Sequence, residues 1–70
     1  MRYMVVIEEG ETSFGGYVPD LPGCVAVGET ESEVKQLIQE AIEFHLEDLQ
    51  VSGAEIPKSL SKSECIEIFA

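Results

Sequence analysis

Residues 17–30 read Tyr17-Val18-Pro19-Asp20-Leu21-Pro22-Gly23-Cys24-Val25-Ala26-Val27-Gly28-Glu29-Thr30, two strand-like runs joined by a corner with two prolines and followed by a helix start. Pro19 and Pro22 each fix their own φ and bias the residue before them towards extended backbone, while Gly23 admits the angles that a sharp reversal needs. The segment therefore reads as a stiff, exposed corner. Residues 24–27 give a short strand after it, and Gly28 ends that strand.

Upstream, residues 2–8 form a strand pattern in which Tyr3, Val5 and Ile7 share one face and Met4 and Val6 the other, both apolar. The polar run Glu9-Gly10-Glu11-Thr12-Ser13 turns the chain into Phe14-Gly15-Gly16-Tyr17-Val18, which predicts an antiparallel hairpin. The paired glycines mark a bulge or a close backbone approach. Downstream, Thr30-Glu31-Ser32-Glu33 matches a capping box, with the Thr30 hydroxyl accepting from the Glu33 N–H and Glu33 reaching back to the Thr30 N–H.

Val34, Leu37, Ile38, Ala41, Ile42, His45, Leu46 and Leu49 recur at three- and four-residue intervals, a stripe suited to packing on a sheet, with an acidic face opposite. Ser52-Gly53 supplies the helix stop. A connector over residues 54–63 carries Pro57, Lys58 and Lys62, and the alternation of residues 64–69 predicts a fourth strand in the same sheet, since no other layer is available. The expected class is α+β, one domain over residues 1–70 in the order β-β-β-α-β: a three-strand antiparallel meander, a fourth strand beside it and one helix on one face.

Four Lys/Arg against fourteen Asp/Glu give a formal net charge of −10. Phosphate affinity comes from basic residues releasing counterions, so this field opposes direct nucleic-acid binding. It suits either association with a basic protein or simple solubility. A chain of this size buries only about 60% of the surface its unfolded form exposes, and among the usual remedies the sequence favours oligomerisation, a homodimer being the simplest. Only Cys24 and Cys65 could pair, and there is no C-x-x-C or Cys/His cluster. The amino terminus runs straight into a strand pattern without a leader, and no apolar run approaches the roughly 20 residues that span a bilayer; the expected location is the cytoplasm.

No catalytic residue, metal ligand or cofactor site is expected. Glu8, Glu9 and Glu11 cluster at a hairpin and Asp20 sits in the corner, which is not a set converging in a cleft. His45 reads as a largely buried side chain on the apolar stripe, and Cys24 and Cys65 as small buried residues in strands. Pro19, Asp20, Leu21 and Pro22 are the expected partner-binding residues, because the segment combines rigidity, a charge and an apolar side chain. Two roles fit it: a preorganised recognition edge, or a corner whose Leu21 folds back over the core while Asp20 caps a local turn.

The Tyr-led first strand, Gly16-Tyr17-Val18-Pro19-Asp20-Leu21-Pro22-Gly23-Cys24, Gly28-Glu29-Thr30, Ala41-Ile42, Leu46, and Gly53 shortly before Ile56-Pro57 together resemble the HicB-like antitoxin family. The resemblance implies a degenerate ribonuclease-H-like fold. It also implies a partner, a small basic HicA-like toxin that cleaves messenger RNA and whose active site the antitoxin masks. Many HicB antitoxins continue into a DNA-binding domain, and the sequence is expected to lack one, in keeping with short stand-alone members. The rival expectations are an orphan acidic interaction domain and a small metal-dependent nuclease using Glu8 or Asp20.

Overall fold

The computed structural model describes residues 1–69. It contains β1 (Val6–Glu9), β2 (Phe14–Tyr17), β3 (Val25–Gly28) and α1 (Glu31–Ser52), in that chain order. The strands form one antiparallel sheet with β2 in the middle. Val6 faces Tyr17 and Tyr17 faces Val25; at the other end Glu9 faces Phe14 and Phe14 faces Gly28. Side chains alternate across a sheet, so Ile7, Phe14, Gly16 and Ala26 lie towards the helix, whereas Val6, Glu8, Tyr17, Val25 and Val27 lie on the outer face.

The first strand starts later than its pattern predicts, at Val6 rather than residue 2. The cause lies in the central strand: the Val18 N–H donates to the Cys24 carbonyl, so Val18 faces β3, and the next residue that would face β1 is Pro19, which has no N–H to give. Tyr3 and Val5 nevertheless keep the strand's parity and pack against the core.

Helix α1 has the expected limits. The Thr30 hydroxyl accepts from the Glu33 N–H at 3.0 Å. Among the described residues no bond returns from the Glu33 carboxylate, which instead lies over Gly28, so only half of the capping box forms. At the other end Gly53 is left-handed at φ 77°, with its N–H directed to the Gln50 carbonyl and the Ala54 N–H to that of Leu49, a Schellman closure.

The core consists of Val18, Leu21, Cys24, Val34 and Ile38, ringed by half-buried Tyr3, Val5, Ile7, Phe14, Ala26, Ile42 and Leu46. Helix and sheet meet most closely at Gly16. A Cβ placed there would lie 2.7 Å from Val34 Cγ1 and 3.3 Å from Ile38 Cγ1, so of the two expected glycine roles this one is a close approach. The expected stripe is buried at Val34 and Ile38 and only half-buried at Ala41, Ile42, His45, Leu46 and Leu49, while Leu37, expected in it, is exposed at the stripe's border.

Three of the four expected strands are present. Residues 54–69 hold no helix or strand, and Ile66, Ile68 and Phe69 are exposed. Alternation is a local signal, whereas a strand needs a free edge beside it. This tail is instead drawn across the corner end of the sheet, where the Tyr3 hydroxyl donates to the Pro57 carbonyl and Asp20 holds Leu60 and Ser61. The ribonuclease-H-like arrangement, which needs the fourth strand, is accordingly not formed within these residues. Cys65, expected in that strand, is exposed and free, while Cys24 is buried and free.

The contact at Gly16 generates a prediction. Gly16→Ala lowers unfolding free energy by about 1–3 kcal/mol, the usual cost of overpacking. Gly15→Ala is the control, because its Cβ would meet only the Ala26 carbonyl oxygen at 4.0 Å. Equal urea midpoints for the two variants would contradict the close approach.

Candidate functional site

The corner between β2 and β3 is two β-turns in series. In the first, Leu21 N–H donates to the Val18 carbonyl at 3.1 Å, with Pro19 at the second position and no positive φ at Asp20. That is the pattern of a type I turn. In the second, Cys24 N–H donates to the Leu21 carbonyl at 3.1 Å, with Pro22 second and Gly23 third at φ 90°, the pattern of a type II turn. Each proline thus occupies the position for which its fixed φ is already set, and Gly23 supplies the angle other residues resist. The Val18 N–H to Cys24 carbonyl bond, 3.1 Å, closes the loop on the sheet.

The four corner residues divide by direction. Leu21 is fully buried among Val18, Val34 and Ile38. Asp20 is half-buried and turned towards the tail: its Oδ2 accepts from the Leu60 N–H at 3.1 Å and the Ser61 N–H at 3.0 Å, and its Oδ1 from the Ser61 hydroxyl at 2.8 Å. Pro19 and Pro22 are exposed. The inward reading of Leu21 therefore describes its packing, and Asp20 caps a segment forty residues away rather than its own turn. Nothing in the sequence near Asp20 signals that bond, because its partners are backbone groups of a distant connector.

Beside the corner, the helix and the second turn enclose an open groove of about 510 Å³. Gly23 and Cys24 form one wall; Glu40, Phe44, His45 and Asp48 line the other. Cys24 Sγ lies 4.0 Å from the Ala41 carbonyl, and burial raises its thiol pKa, which keeps it protonated and unreactive. His45, expected to be largely buried, is half-buried on this wall. Phe44 and Asp48 lie outside the expected apolar stripe; with Leu37, Ala41 and Val51 they form a second line at alternating four- and three-residue steps.

Among the described residues no group of three or more His, Cys, Asp or Glu side chains is placed to hold a metal ion. Glu8 and Glu9 lie towards the β1–β2 end of the sheet and Asp20 at the opposite end, so the carboxylates named for nuclease chemistry do not converge. The chemistry the site offers is contact: two exposed proline rings, an aromatic ring and an acidic groove. No helix among the described residues is long and apolar enough to cross a membrane.

Hydrogen bonding from Ser61, chiefly its backbone N–H, lowers the Asp20 pKa below its ordinary value of 3.8. A depressed carboxylate contributes stability above its unfolded pKa and loses it as pH falls through the folded one. The tail is therefore held at neutral pH and released below about pH 3.8, in the window between the ordinary and the lowered value. Amide exchange at Leu60 and Ser61 should accelerate there relative to the helix, and Asp20→Ala should show the released behaviour at pH 7. Unchanged exchange in that variant would contradict the tether.

Comparison with known proteins agrees with this architecture. The family model described as a HicB-like antitoxin of bacterial toxin-antitoxin systems matches residues 3–67. An uncharacterised 14.9 kDa protein of Haemophilus phage HP1, from its rep-hol intergenic region, is 41% identical over 59 residues, covering 84% of this chain and 44% of the phage protein. A UPF0150 protein of Helicobacter pylori strain J99 is 44% identical over 50 residues, covering 71% of this chain and 69% of that protein. The chain thus spans less than half the length of the phage relative. No solved structure matches it significantly. With its double-proline corner, capped helix and a family match over nearly its whole length, the chain belongs to the HicB-like antitoxins of bacterial toxin-antitoxin systems.

Proposed function

We propose that the protein neutralises a small basic HicA-like, messenger-RNA-cleaving toxin by binding it and masking its active site, and that it acts by contact rather than catalysis in the cytoplasm. The family match over residues 3–67 carries this reading. Its charge supports it: a domain at −10 steers a basic partner into encounter and disfavours direct contact with nucleic acid. The corner at residues 19–22 is the proposed contact edge. Pro19 and Pro22 offer the exposed surface, while Leu21 and Asp20 hold it in place from within. A rigid edge suits this task because little ordering entropy remains to be lost on binding.

The proposed assembly is a homodimer formed through the outer face of the sheet. Tyr17, Val25 and Val27 are exposed there at 41%, 64% and 68%, and the register places them together with Val6. The face carries one carboxylate from the strands, Glu8, so two copies can meet there with little like-charge repulsion. The alternating residues 64–69 are available to add the fourth strand of the ribonuclease-H-like fold at an open edge of the sheet.

Co-expression with a HicA-like toxin from the same genome tests the function. The expected result is restored growth and a complex that co-elutes on size exclusion; absence of both contradicts the antitoxin reading. Separately, the double substitution Val25→Glu with Val27→Glu should convert a dimer to a folded monomer by light scattering. A variant that keeps the wild-type mass would place the dimer interface elsewhere.

A further inference from the structure

The sheet covers one side of α1, and the flank beside the second corner turn carries an apolar line of its own. Leu37, Phe44 and Val51 are exposed, Phe44 at 77% and Val51 at 83%. They are spaced seven residues apart. A straight helix drifts by only about 20° per seven residues, so the three form one nearly axial stripe about 21 Å long, at 1.5 Å per residue. Seven-residue spacing is the repeat by which one helix keeps a second helix against it at a shallow crossing angle. Two shallow hollows open along this line, one between the second corner turn and the helix and one bounded by Phe44, Glu47, Asp48 and Val51.

Charge selects the occupant. If Leu37, Phe44 and Val51 occupy the first position of the repeat, Glu40 and Glu47 fall at the other inward position and Asp48 directly beside it. Two copies meeting along this stripe would bring those carboxylates together in a partly desolvated seam, which is unfavourable. The last turn of α1 contains no basic residue, so nothing on the stripe's far end offsets that field. A cationic helix would instead place apolar side chains on Leu37, Phe44 and Val51 and Lys or Arg against the acidic positions, the helix-in-groove mode of recognition.

We infer that the Leu37-Phe44-Val51 stripe, with Glu40, Glu47 and Asp48 at its border, is a docking surface for a basic amphipathic helix of a partner protein. The surface adjoins the second corner turn, sharing the groove walled by Gly23 and Cys24, and is distinct from the outer sheet face. If the antitoxin reading holds, the helix belongs to the toxin, but the recognition chemistry does not rest on that reading.

The direct probe is a pair of labelled, helix-stapled peptides with leucine every seven residues and either lysine or glutamate at the flanking positions, titrated into the intact protein by fluorescence anisotropy. The lysine peptide binds and weakens with added salt, and the glutamate peptide binds at least tenfold more weakly. Phe44→Ser lowers affinity for the lysine peptide at least tenfold. Glu40→Lys combined with Glu47→Lys reverses the preference between the two peptides. These side chains are exposed, and circular dichroism checks that each variant is folded. Equal binding of both peptides, no binding of either, or indifference to all three substitutions overturns the inference. So does loss of self-association in Phe44→Ser, which would assign the stripe to a second copy. Co-expression separates the two claims: a Phe44→Ser protein that still captures and neutralises the toxin removes the stripe from that complex and leaves the antitoxin function standing.

Discussion

Val34 and Ile38 rest on the bare backbone of Gly16, and the rest of the structure follows from that contact. With no side chain in the middle of the central strand, the helix settles close to the sheet, and among the described residues only five hydrophobic side chains become buried. Leu21 is one of them, reached not from a strand or the helix but from the corner. The same closeness that makes the core small fixes the corner to it, because removing Leu21 would open the end of the helix-sheet seam. The two prolines then keep the corner's backbone near this shape before folding, which reduces the entropy lost in forming it.

A small core leaves much apolar surface outside, and charge sorts that surface into separate tasks. The outer sheet face is nearly uncharged along its strands and suits self-association. The outer helix face is apolar along a line and acidic along its border, which disfavours a second copy and favours a cation. The corner lies between them, stiff and largely without charge at its exposed prolines, since the Asp20 carboxylate is turned to the tail. The proposed function makes use of this separation, because one surface cannot both assemble like with like and attract the opposite charge.

The chain's signals are legible where the physics is local. Thr30 and Gly53 set the helix ends through bonds within a few residues, and the hairpin and the corner follow from residues that constrain their own backbone. The fourth strand is not legible in the same way: residues 64–69 alternate as a strand should, but alternation does not choose a partner, and the tail held by Asp20 and Tyr3 does not pair with the open edge of β1 or β3. For the same reason Asp20 reads from sequence as a charge on a recognition edge or the cap of its own turn, its actual partners being the N–H groups of Leu60 and Ser61 and the Ser61 hydroxyl, forty residues away. His45 belongs to the expected stripe but sits at its edge and is half-buried, whereas Phe44 and Asp48 fall outside it, because the longest apolar stripe marks the side of the helix that meets the sheet. The second line, at sevens, emerges only once the first is known to be covered.

The central claim is that the double-proline corner is built on a buried Leu21 rather than offering it to a partner. Equilibrium unfolding of Leu21→Ala tests this most directly, alongside toxin binding at a temperature where the variant is folded. The account predicts a loss of about 2–5 kcal/mol, the range for truncating a buried leucine, including a variant too unstable to fold. An unchanged unfolding midpoint with abolished binding would contradict it and make Leu21 a contact residue instead.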